Sequence, residues 1–143
     1  MNEPEDKVNW LKDKNDLGLL VLRIGAPLLL FIGHGWPKLA TFGERLNSFA
    51  DPIGLGAPVS FILVLVAEVL CAALVALGLF TRLAVIPPII FFLVAAVIQH
   101  ADDPWARKEF ALIYLVPFLA LLFTGPGRHS LDAMMGRDGK ASS

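Results

Sequence analysis

Four long apolar stretches, separated by short polar or glycine- and proline-containing segments, dominate the hydrophobic pattern of the chain. They cover residues 17–36, about 58–80, 83–99 and about 105–124. As helices they would each span roughly 24–35 Å, which suits a hydrocarbon core about 30 Å thick. In lipid only helices and closed barrels satisfy the backbone, and these stretches lack the alternation of barrel strands. The pattern predicts an all-α integral membrane protein, built as a four-helix bundle.

Polar segments and turn residues divide the chain. The predicted boundaries are 1–16 for a polar N-terminal segment, 17–135 for the four-helix membrane domain and 136–143 for a polar tail. Thr81 and Arg82 leave room only for a tight turn, so the second and third helices are antiparallel neighbours. Residues 38–50 have apolar side chains at helical spacing, and Ser130 can cap a short helix that stops at Gly136. Both segments are predicted to be short interfacial helices.

The third stretch contains a pair of prolines. Pro87 and Pro88 remove two backbone donors from the predicted helix, which is therefore expected to kink or split there. Two readings stay open. Neighbouring helices accommodate the break, or the irregular segment lines a site.

Composition supports a membrane protein and narrows its chemistry. Of the 143 residues, 56% are hydrophobic and 17% are charged, and the mean hydropathy is +0.66. Water-soluble domains seldom have such values. The net charge is −1 and there is no Lys/Arg-rich run, so the chain lacks the basic surface that neutralises a phosphate backbone. A nucleic-acid partner is therefore not expected. Cys71 is the single cysteine, which excludes an intrachain disulfide, a CxxC redox pair and a Cys-rich metal site.

Basic residues near the helix ends predict an orientation. With both termini in the cytoplasm, seven basic residues lie on the inner side and four on the outer side. The inner residues are Lys7, Lys12, Lys14, Arg82, Arg128, Arg137 and Lys140, and the outer residues are Lys38, Arg45, Arg107 and Lys108. Because inner loops carry the excess of Lys and Arg, this count predicts a multi-pass protein with both termini cytoplasmic.

Arg23 is the sharpest chemical feature, since it lies inside the first apolar stretch, where a charge costs at least about 2.5 kcal/mol. Glu68 lies inside the second stretch, and the implied heights of the two residues differ by about 6 Å. We therefore predict a buried Arg23–Glu68 ion pair, and both residues are candidates for catalysis and substrate binding. Two alternatives stay open: the pair only fixes helix register, or Arg23 reaches back to the membrane surface.

Two histidines are expected near the outer boundary of the membrane. His34 and His100 each follow seventeen residues after the start of their apolar stretches, so they lie at one level if both helices run outward. They could bond to loop carbonyls, transfer protons or hold a bound head group, and His34 is also a catalytic candidate. Two histidines at an unknown distance are a weak signal for ligation, so neither haem nor a metal site is predicted.

Further polar and aromatic residues could complete a polar mouth of the helix bundle near the outer boundary of the membrane. Lys38, Glu109 and either Trp36 or Trp105 are candidates, with the indole rings in the interfacial belt. Tyr114 is the single tyrosine and lies in the fourth stretch, where its hydroxyl needs a partner. His100, Lys38 and Tyr114 therefore join the substrate-binding candidates.

Several short motifs, taken in order, resemble the DoxX family. They are Arg23, the run GHGWPKL at 33–39, Glu68 with GLFTR at 78–82, and GPGRHSLD at 125–132. The resemblance covers roughly residues 17–135. It implies a four-helix inner-membrane protein of a bacterium or archaeon, related to the membrane subunit of thiosulfate:quinone oxidoreductase. The positions at which it implies contacts with a quinone or another substrate are Arg23, His34, Lys38 and Glu68.

Residues and resemblance together predict the membrane subunit of an oxidoreductase system. It would bind a quinone-like molecule or small redox substrate within the helix bundle. Since the chain has no evident cofactor or electron carrier of its own, it would also dock a partner protein that supplies redox centres. A homo-oligomer in the lipid bilayer is the other expected assembly. The alternative function is non-enzymatic: a membrane carrier of small molecules, or a scaffold for partner proteins.

Overall fold

The computed structural model describes the backbone of residues 3–137 and the side chains of residues 12–137, and all regular secondary structure in this part is helical. Four long helices form a bundle. The first helix consists of Glu3–Leu30, the π-helical Phe31–Gly35 and Trp36–Ala40. The second consists of Ala57–Leu65, the π-helical Val66–Cys71 and Ala72–Leu77. The third consists of Thr81–Ala84, Ile86–Val94 and the π-helical Ala95–Gln99, and the fourth is Trp105–Thr124.

The predicted polar ends of the chain lie partly outside the described residues. Of the N-terminal segment 1–16, residues 3–16 belong to the first long helix, so the helix starts well before the apolar stretch. Residues 138–143 of the predicted tail and residues 1–2 lie outside the described part of the chain.

Three of the long helices are long and apolar enough to cross a membrane: Lys12–Ala40, Ala57–Leu77 and Thr81–Gln99. The fourth, Trp105–Thr124, has 20 residues but carries Arg107, Lys108 and Glu109 near its start. These charges, and not its length, separate it from the other three. The predicted all-helical fold is confirmed for the described residues.

The long helices share one apolar core and also present apolar side chains outward. Leu30, Val75, Val85, Phe118 and Leu121 are buried in the core. Large apolar side chains that are more than half exposed include Val21, Leu29, Leu83, Val97, Val116 and Phe123. A surface of this kind is unfavourable in water but is expected of a bundle surrounded by lipid.

The proline pair divides the third helix, as the sequence predicts. Its first segment, Thr81–Ala84, is followed by a break at Val85, and the next segment has Pro87 and Pro88 in its first turn. Proline is tolerated there, because the first N–H groups of a helix have no partner within it. Ile89 resumes the ladder by donating to the carbonyl of Val85 at 3.1 Å.

Both predicted short helices are present. Phe42–Arg45 follows the first long helix, and Leu131–Met134 follows the fourth. Ser130 caps the latter, since its hydroxyl oxygen accepts a hydrogen bond from the backbone N–H of Ala133 at 3.1 Å. The chain turns at Gly136 with a φ of 69°. The interfacial position of these helices stays a prediction.

The C-terminal segment closes one end of the bundle. The carboxylate oxygens of Asp132 accept the backbone N–H groups of Phe80 and Thr81, each at 2.8 Å. In return the N–H of Asp132 donates to the carbonyl of Gly78 at 2.8 Å. Gly78 and Phe80 form the turn between the second and third helices, with φ angles of 70° and 48°. These bonds hold the segment after the fourth helix against that turn.

We expect Asp132→Ala to destabilise the protein, because it leaves the N–H groups of Phe80 and Thr81 without their acceptor. The loss should be about 2 kcal/mol or more in the free energy of unfolding. Titration with SDS in mixed micelles would measure it. Asp102→Ala is the matched control, because Asp102 is exposed. Equal stability of the two variants would contradict the role of Asp132 at this turn.

Candidate functional site

Arg23 and Glu68 are both buried, but they do not form the predicted ion pair. Arg23 is 2% exposed, and its Nη2 donates to the carbonyl of His129 at 2.6 Å. A Cβ atom on Gly78 would overlap Nη1 of Arg23, so the guanidinium lies against the turn after the second helix. Glu68 instead contacts Lys38. The predicted Arg23–Glu68 pair is therefore wrong.

The physical reason is where the helices end. The first helix continues through Gly35 and Pro37 to Ala40, although these residue types predict an end near residue 36. Arg23 contacts Gly78, which lies about 15 Å beyond residue 68 along the second helix. Arg23 is thus at the end of the bundle that the C-terminal segment closes. Its predicted partner, Glu68, lies about 15 Å away along the second helix.

Lys38 is the partner of Glu68. Its Nζ lies 2.7 Å from Oε2 of Glu68, and it also donates to the carbonyl of His34 at 3.4 Å. The two side chains are 13% and 1% exposed, respectively. The orientation count placed Lys38 among the outer-side residues, which concealed this contact. Its position one turn after His34 on a helix that continues is the signal that could have found it.

Close packing of the first two helices makes this ion pair possible. A Cβ atom on Gly35 would lie 3.0 Å from the backbone carbonyl oxygen of Glu68 and 3.1 Å from Cγ2 of Val69. Any side chain at position 35 would push the helices apart. Glycine here therefore lets Lys38 reach Glu68.

The three π-helical segments of the described chain border one cavity. His34 belongs to the first segment, Glu68 to the second and Gln99 to the third, and all three line the cavity. The first segment shows the wide turn directly, since the N–H of Trp36 donates to the carbonyl of Phe31, five residues earlier. Such turns often occur at functional sites, because they redirect the side chains that follow.

The cavity has a volume of about 600 Å³ and lies at the end of the bundle away from the C-terminal segment. Its polar lining residues are His34, Lys38, Ser60, Glu68, Gln99, His100, Arg107 and Tyr114, and the others are apolar. Five of the six predicted binding residues are therefore brought together, while Arg23 is not. Sequence reasoning missed Ser60, Gln99 and Arg107. Glu109, Trp36 and Trp105, the candidates for a polar mouth, do not line the cavity.

Aromatic contacts hold His34 in place. Its ring centroid is 5.5 Å from that of Tyr114 and 5.5 Å from that of Phe110. The contact with Tyr114 is edge-on, with an interplanar angle of 86°. Tyr114 in turn stacks on Phe92 with centroids 5.4 Å apart. Packing thus positions the imidazole ring of His34 and the phenol ring of Tyr114 at the cavity wall.

His100 lines the same cavity but is held by a different partner. Its Nδ1 lies 2.6 Å from Oδ2 of Asp103, and Nη1 of Arg107 lies 3.4 Å from the same oxygen. The hydrogen bond with His100 lowers the pKa of Asp103 below its usual value, and the charge of Arg107 adds to this effect. No group of three or more His, Cys, Asp or Glu side chains arranged to hold a metal ion occurs in the described residues.

The loop between the first and second helices borders the cavity. Asp51 organises it by accepting the N–H groups of Leu55 at 2.8 Å and Gly56 at 2.7 Å, and the hydroxyl of Ser60 at 2.7 Å. The Ser60 hydrogen bond, reinforced by that from Gly56, holds the pKa of Asp51 below its usual value. Leu55 and Ser60 both line the cavity. The acceptor Asp51, ahead of Gly54 and Gly56, is the sequence signal for this turn.

Comparison with known proteins identifies relatives of this chain. The DoxX family model matches residues 18–101 of the chain. The inner membrane protein YphA of Escherichia coli (strain K12) is 36% identical over an alignment of 130 residues, and the match covers 80% of this chain and 87% of that protein. No solved structure matches significantly.

We expect energetic coupling between Lys38 and Glu68 and none between Arg23 and Glu68. Lys38→Met or Glu68→Gln alone should lower the free energy of unfolding by about 3 kcal/mol, because each leaves a buried polar partner uncompensated. The double variant should lose clearly less than the sum. SDS titration would measure all variants. Arg23→Met combined with Glu68→Gln is the matched control pair, for which the losses should add. Additive losses at Lys38 and Glu68 would rule out the ion pair.

Proposed function

The chain belongs to the DoxX family of membrane proteins, and we propose that it is a four-span inner-membrane protein of a bacterium or archaeon that binds a quinone-like molecule beside Lys38 and Glu68. In this proposal the protein is the membrane subunit of an oxidoreductase system, and a partner protein supplies the electrons. The observation that carries the proposal is the buried Lys38–Glu68 pair in the wall of a largely apolar cavity of about 600 Å³.

The course of the fourth helix supports the four-span topology. It starts beside the cavity, which Arg107 and Phe110 line, and it ends beside the turn between the second and third helices, where Gly125 lies near Arg82. It therefore runs the full length of the bundle. Its outward apolar residues Ile113, Val116 and Phe123 are 59%, 64% and 77% exposed. The distribution of basic residues favours the orientation with both termini in the cytoplasm.

Lys38 is suited to donate a hydrogen bond to a quinone carbonyl. An ammonium group has three N–H donors. Glu68 and the carbonyl of His34 accept two of them, which leaves one for a ligand oxygen. The ring of His34 and the hydroxyl-bearing ring of Tyr114 lie in contact at the same wall. A few polar groups set in an apolar cavity of this size are typical of a small-molecule site.

The Lys38–Glu68 pair suits the proton balance of quinone reduction. A quinone that becomes a quinol takes up two electrons and two protons, and the electrons would come from the redox centre of the partner protein. Glu68 is hydrogen-bonded to Lys38, beside the position proposed for the quinone carbonyl. The ammonium group of Lys38 can pass a proton to the reduced oxygen and be reprotonated afterwards, with the Glu68 carboxylate as its counter-ion.

The cavity has an apolar side that faces outward. Leu63 of the second helix and Ile90 of the third both line it, yet they are 51% and 56% exposed. Residues that line a cavity and also lie on the lipid-facing surface mark an opening between the two helices. A ligand with a quinone ring and an apolar chain would therefore place its ring at Lys38 and its chain in the opening.

Quinone binding tests the proposal. The wild-type protein in mild detergent is expected to bind a decyl-substituted benzoquinone and the same ring without a chain, as measured by equilibrium dialysis. Ile90→Trp fills the opening and should weaken binding of the chain-bearing quinone about tenfold, while binding of the bare ring changes little. Val97→Trp is the matched control, because Val97 is 68% exposed on the same helix and does not line the cavity.

The results separate the parts of the proposal. Failure of both quinones to bind, with none in solvent extracts of the purified protein analysed by mass spectrometry, would refute quinone binding and favour a carrier or scaffold. If both bind and Ile90→Trp affects them equally, ring binding stands and the opening is disproved. Co-purification of a soluble redox protein would support the subunit role.

Cysteine labelling tests the topology. An impermeant maleimide added to intact cells should label Ser48→Cys and Asp102→Cys, in the two connections beside the cavity. It should spare Arg82→Cys and Met134→Cys, at the opposite end. The native Cys71 is buried and gives little background. Labelling of Met134→Cys together with Ser48→Cys would contradict the crossing of the fourth helix.

A further inference from the structure

A second cavity lies at the end of the bundle closed by the C-terminal segment. It forms a groove of about 560 Å³ whose lining includes three arginines, Arg82, Arg128 and Arg137. It shares no lining residue with the cavity beside Lys38 and Glu68. Its chemistry is thus independent of the proposed quinone site.

The acidic residues of this groove are already engaged. Asp132 binds the two backbone N–H groups of the turn between the second and third helices. Asp16 accepts the backbone N–H of Arg128 at 3.1 Å, and its other carboxylate oxygen lies 3.6 Å from Nε of Arg128. Three arginines against Asp16 and Asp132 give the groove lining a net charge of +1, and the two guanidinium groups without a carboxylate partner within residues 12–137 are those of Arg82 and Arg137.

The contacts of both arginines leave the N–H groups of their guanidinium groups available to a ligand. Arg82 has no acidic partner among the described residues, and a Cβ atom on Gly125 would lie 3.4 Å from its Nη2. The guanidinium carbon of Arg137 lies 4.4 Å from the ring centroid of Phe80. Its backbone N–H donates to the carbonyl of Asp132 at 2.8 Å. Neither guanidinium group donates a hydrogen bond within the described part of the chain.

A buried hydroxyl adds a further polar group to the lining. Thr81 is 1% exposed, and its Oγ1 has no hydrogen-bond partner among the described residues. Because a buried hydroxyl without a partner is costly, a polar ligand that reaches Thr81 would stabilise this end of the bundle. Thr81 directly precedes Arg82 in the groove.

The groove also lies at the level of lipid head groups. The candidate spans Ala57–Leu77 and Thr81–Gln99 are joined by residues 78–80, so this turn is at one surface of the membrane. Leu19 and Leu83 line the groove beside the arginines, and Leu83 is 67% exposed. A ligand in the groove meets cationic donors at one side and lipid-facing apolar side chains at the other.

We propose that this groove binds the head group of an anionic phospholipid. The phosphate oxygens accept N–H donors from Arg82 and Arg137, whose planar groups match phosphate geometry. One acyl chain follows Leu83 along the third helix. Basic pockets beside membrane helices are suited to such head groups, and the apolar part of the lining favours a lipid over free phosphate.

The test uses the full chain, delipidated in mild detergent. Phosphatidylglycerol is expected to raise the Tm and to stay bound in native mass spectrometry, whereas phosphatidylcholine with the same acyl chains does neither. Arg82→Gln and Arg137→Gln should each weaken phosphatidylglycerol binding about fivefold. Arg45→Gln is the matched control, since Arg45 is an exposed arginine bonded to Thr41 and outside the groove. Added salt should weaken binding in the wild type.

Three outcomes would overturn the proposal. They are equal effects of the two lipids, unchanged phosphatidylglycerol binding in both Arg82→Gln and Arg137→Gln, and a Tm increase that glycerol phosphate or inorganic phosphate alone reproduces. The last result would make the groove a small-anion site. Because Arg82 is exposed, its variant should keep the wild-type Tm in phosphatidylcholine, which separates lost binding from lost folding.

Discussion

A buried ion pair between the first and second helices sets the arrangement of the bundle around its cavity. A charge among apolar side chains is costly unless an opposite charge lies beside it, and Lys38 and Glu68 supply this for each other. The 2.7 Å contact therefore fixes the register of these two helices, and Gly35 permits the close approach that the contact requires. With the first two helices packed tightly at this level, the cavity is also bordered by the third and fourth helices, whose Gln99 and Tyr114 line it.

The π-helical turn before Lys38 alters the direction in which the side chains after it point. Pro37 has no N–H and cannot donate to the carbonyl of Gly33, as an α-helix would require. The N–H of Trp36 instead reaches back five residues to Phe31. Such a turn contains extra residues, so every side chain after it faces a direction that the 3.6-residue period does not predict. The sequence contains the proline, but the wider turn depends on how the neighbouring helix packs.

Sequence patterns predicted the helices and five of the eight polar residues that line the cavity, for different reasons. Lipid requires long apolar helices, so hydropathy finds them, and polar residues inside an apolar stretch are costly enough to be noticed, as His34, Glu68 and Tyr114 were. Gln99 and Arg107 were missed because polar residues at a helix end look like ordinary surface residues. The partner of Arg23 was misassigned because apolar stretches give only approximate helix boundaries, and the carbonyl it binds lies more than a hundred residues away in the chain.

The closed end of the bundle and the cavity are connected through the second and third helices. These helices are joined by residues 78–80, and Asp132 holds this turn by two backbone bonds, so the helices cannot separate there. They also stay in contact beyond the proline pair, where the segment Ile86–Val94 packs against Val66–Cys71. Ile89 donates to the carbonyl of Val85 at 3.1 Å, so the hydrogen-bond ladder resumes directly after the two prolines, and Pro87 lies in the cavity wall. The second and third helices are thus held together on both sides of the proline pair, and this fixed helix pair supplies one side of the cavity.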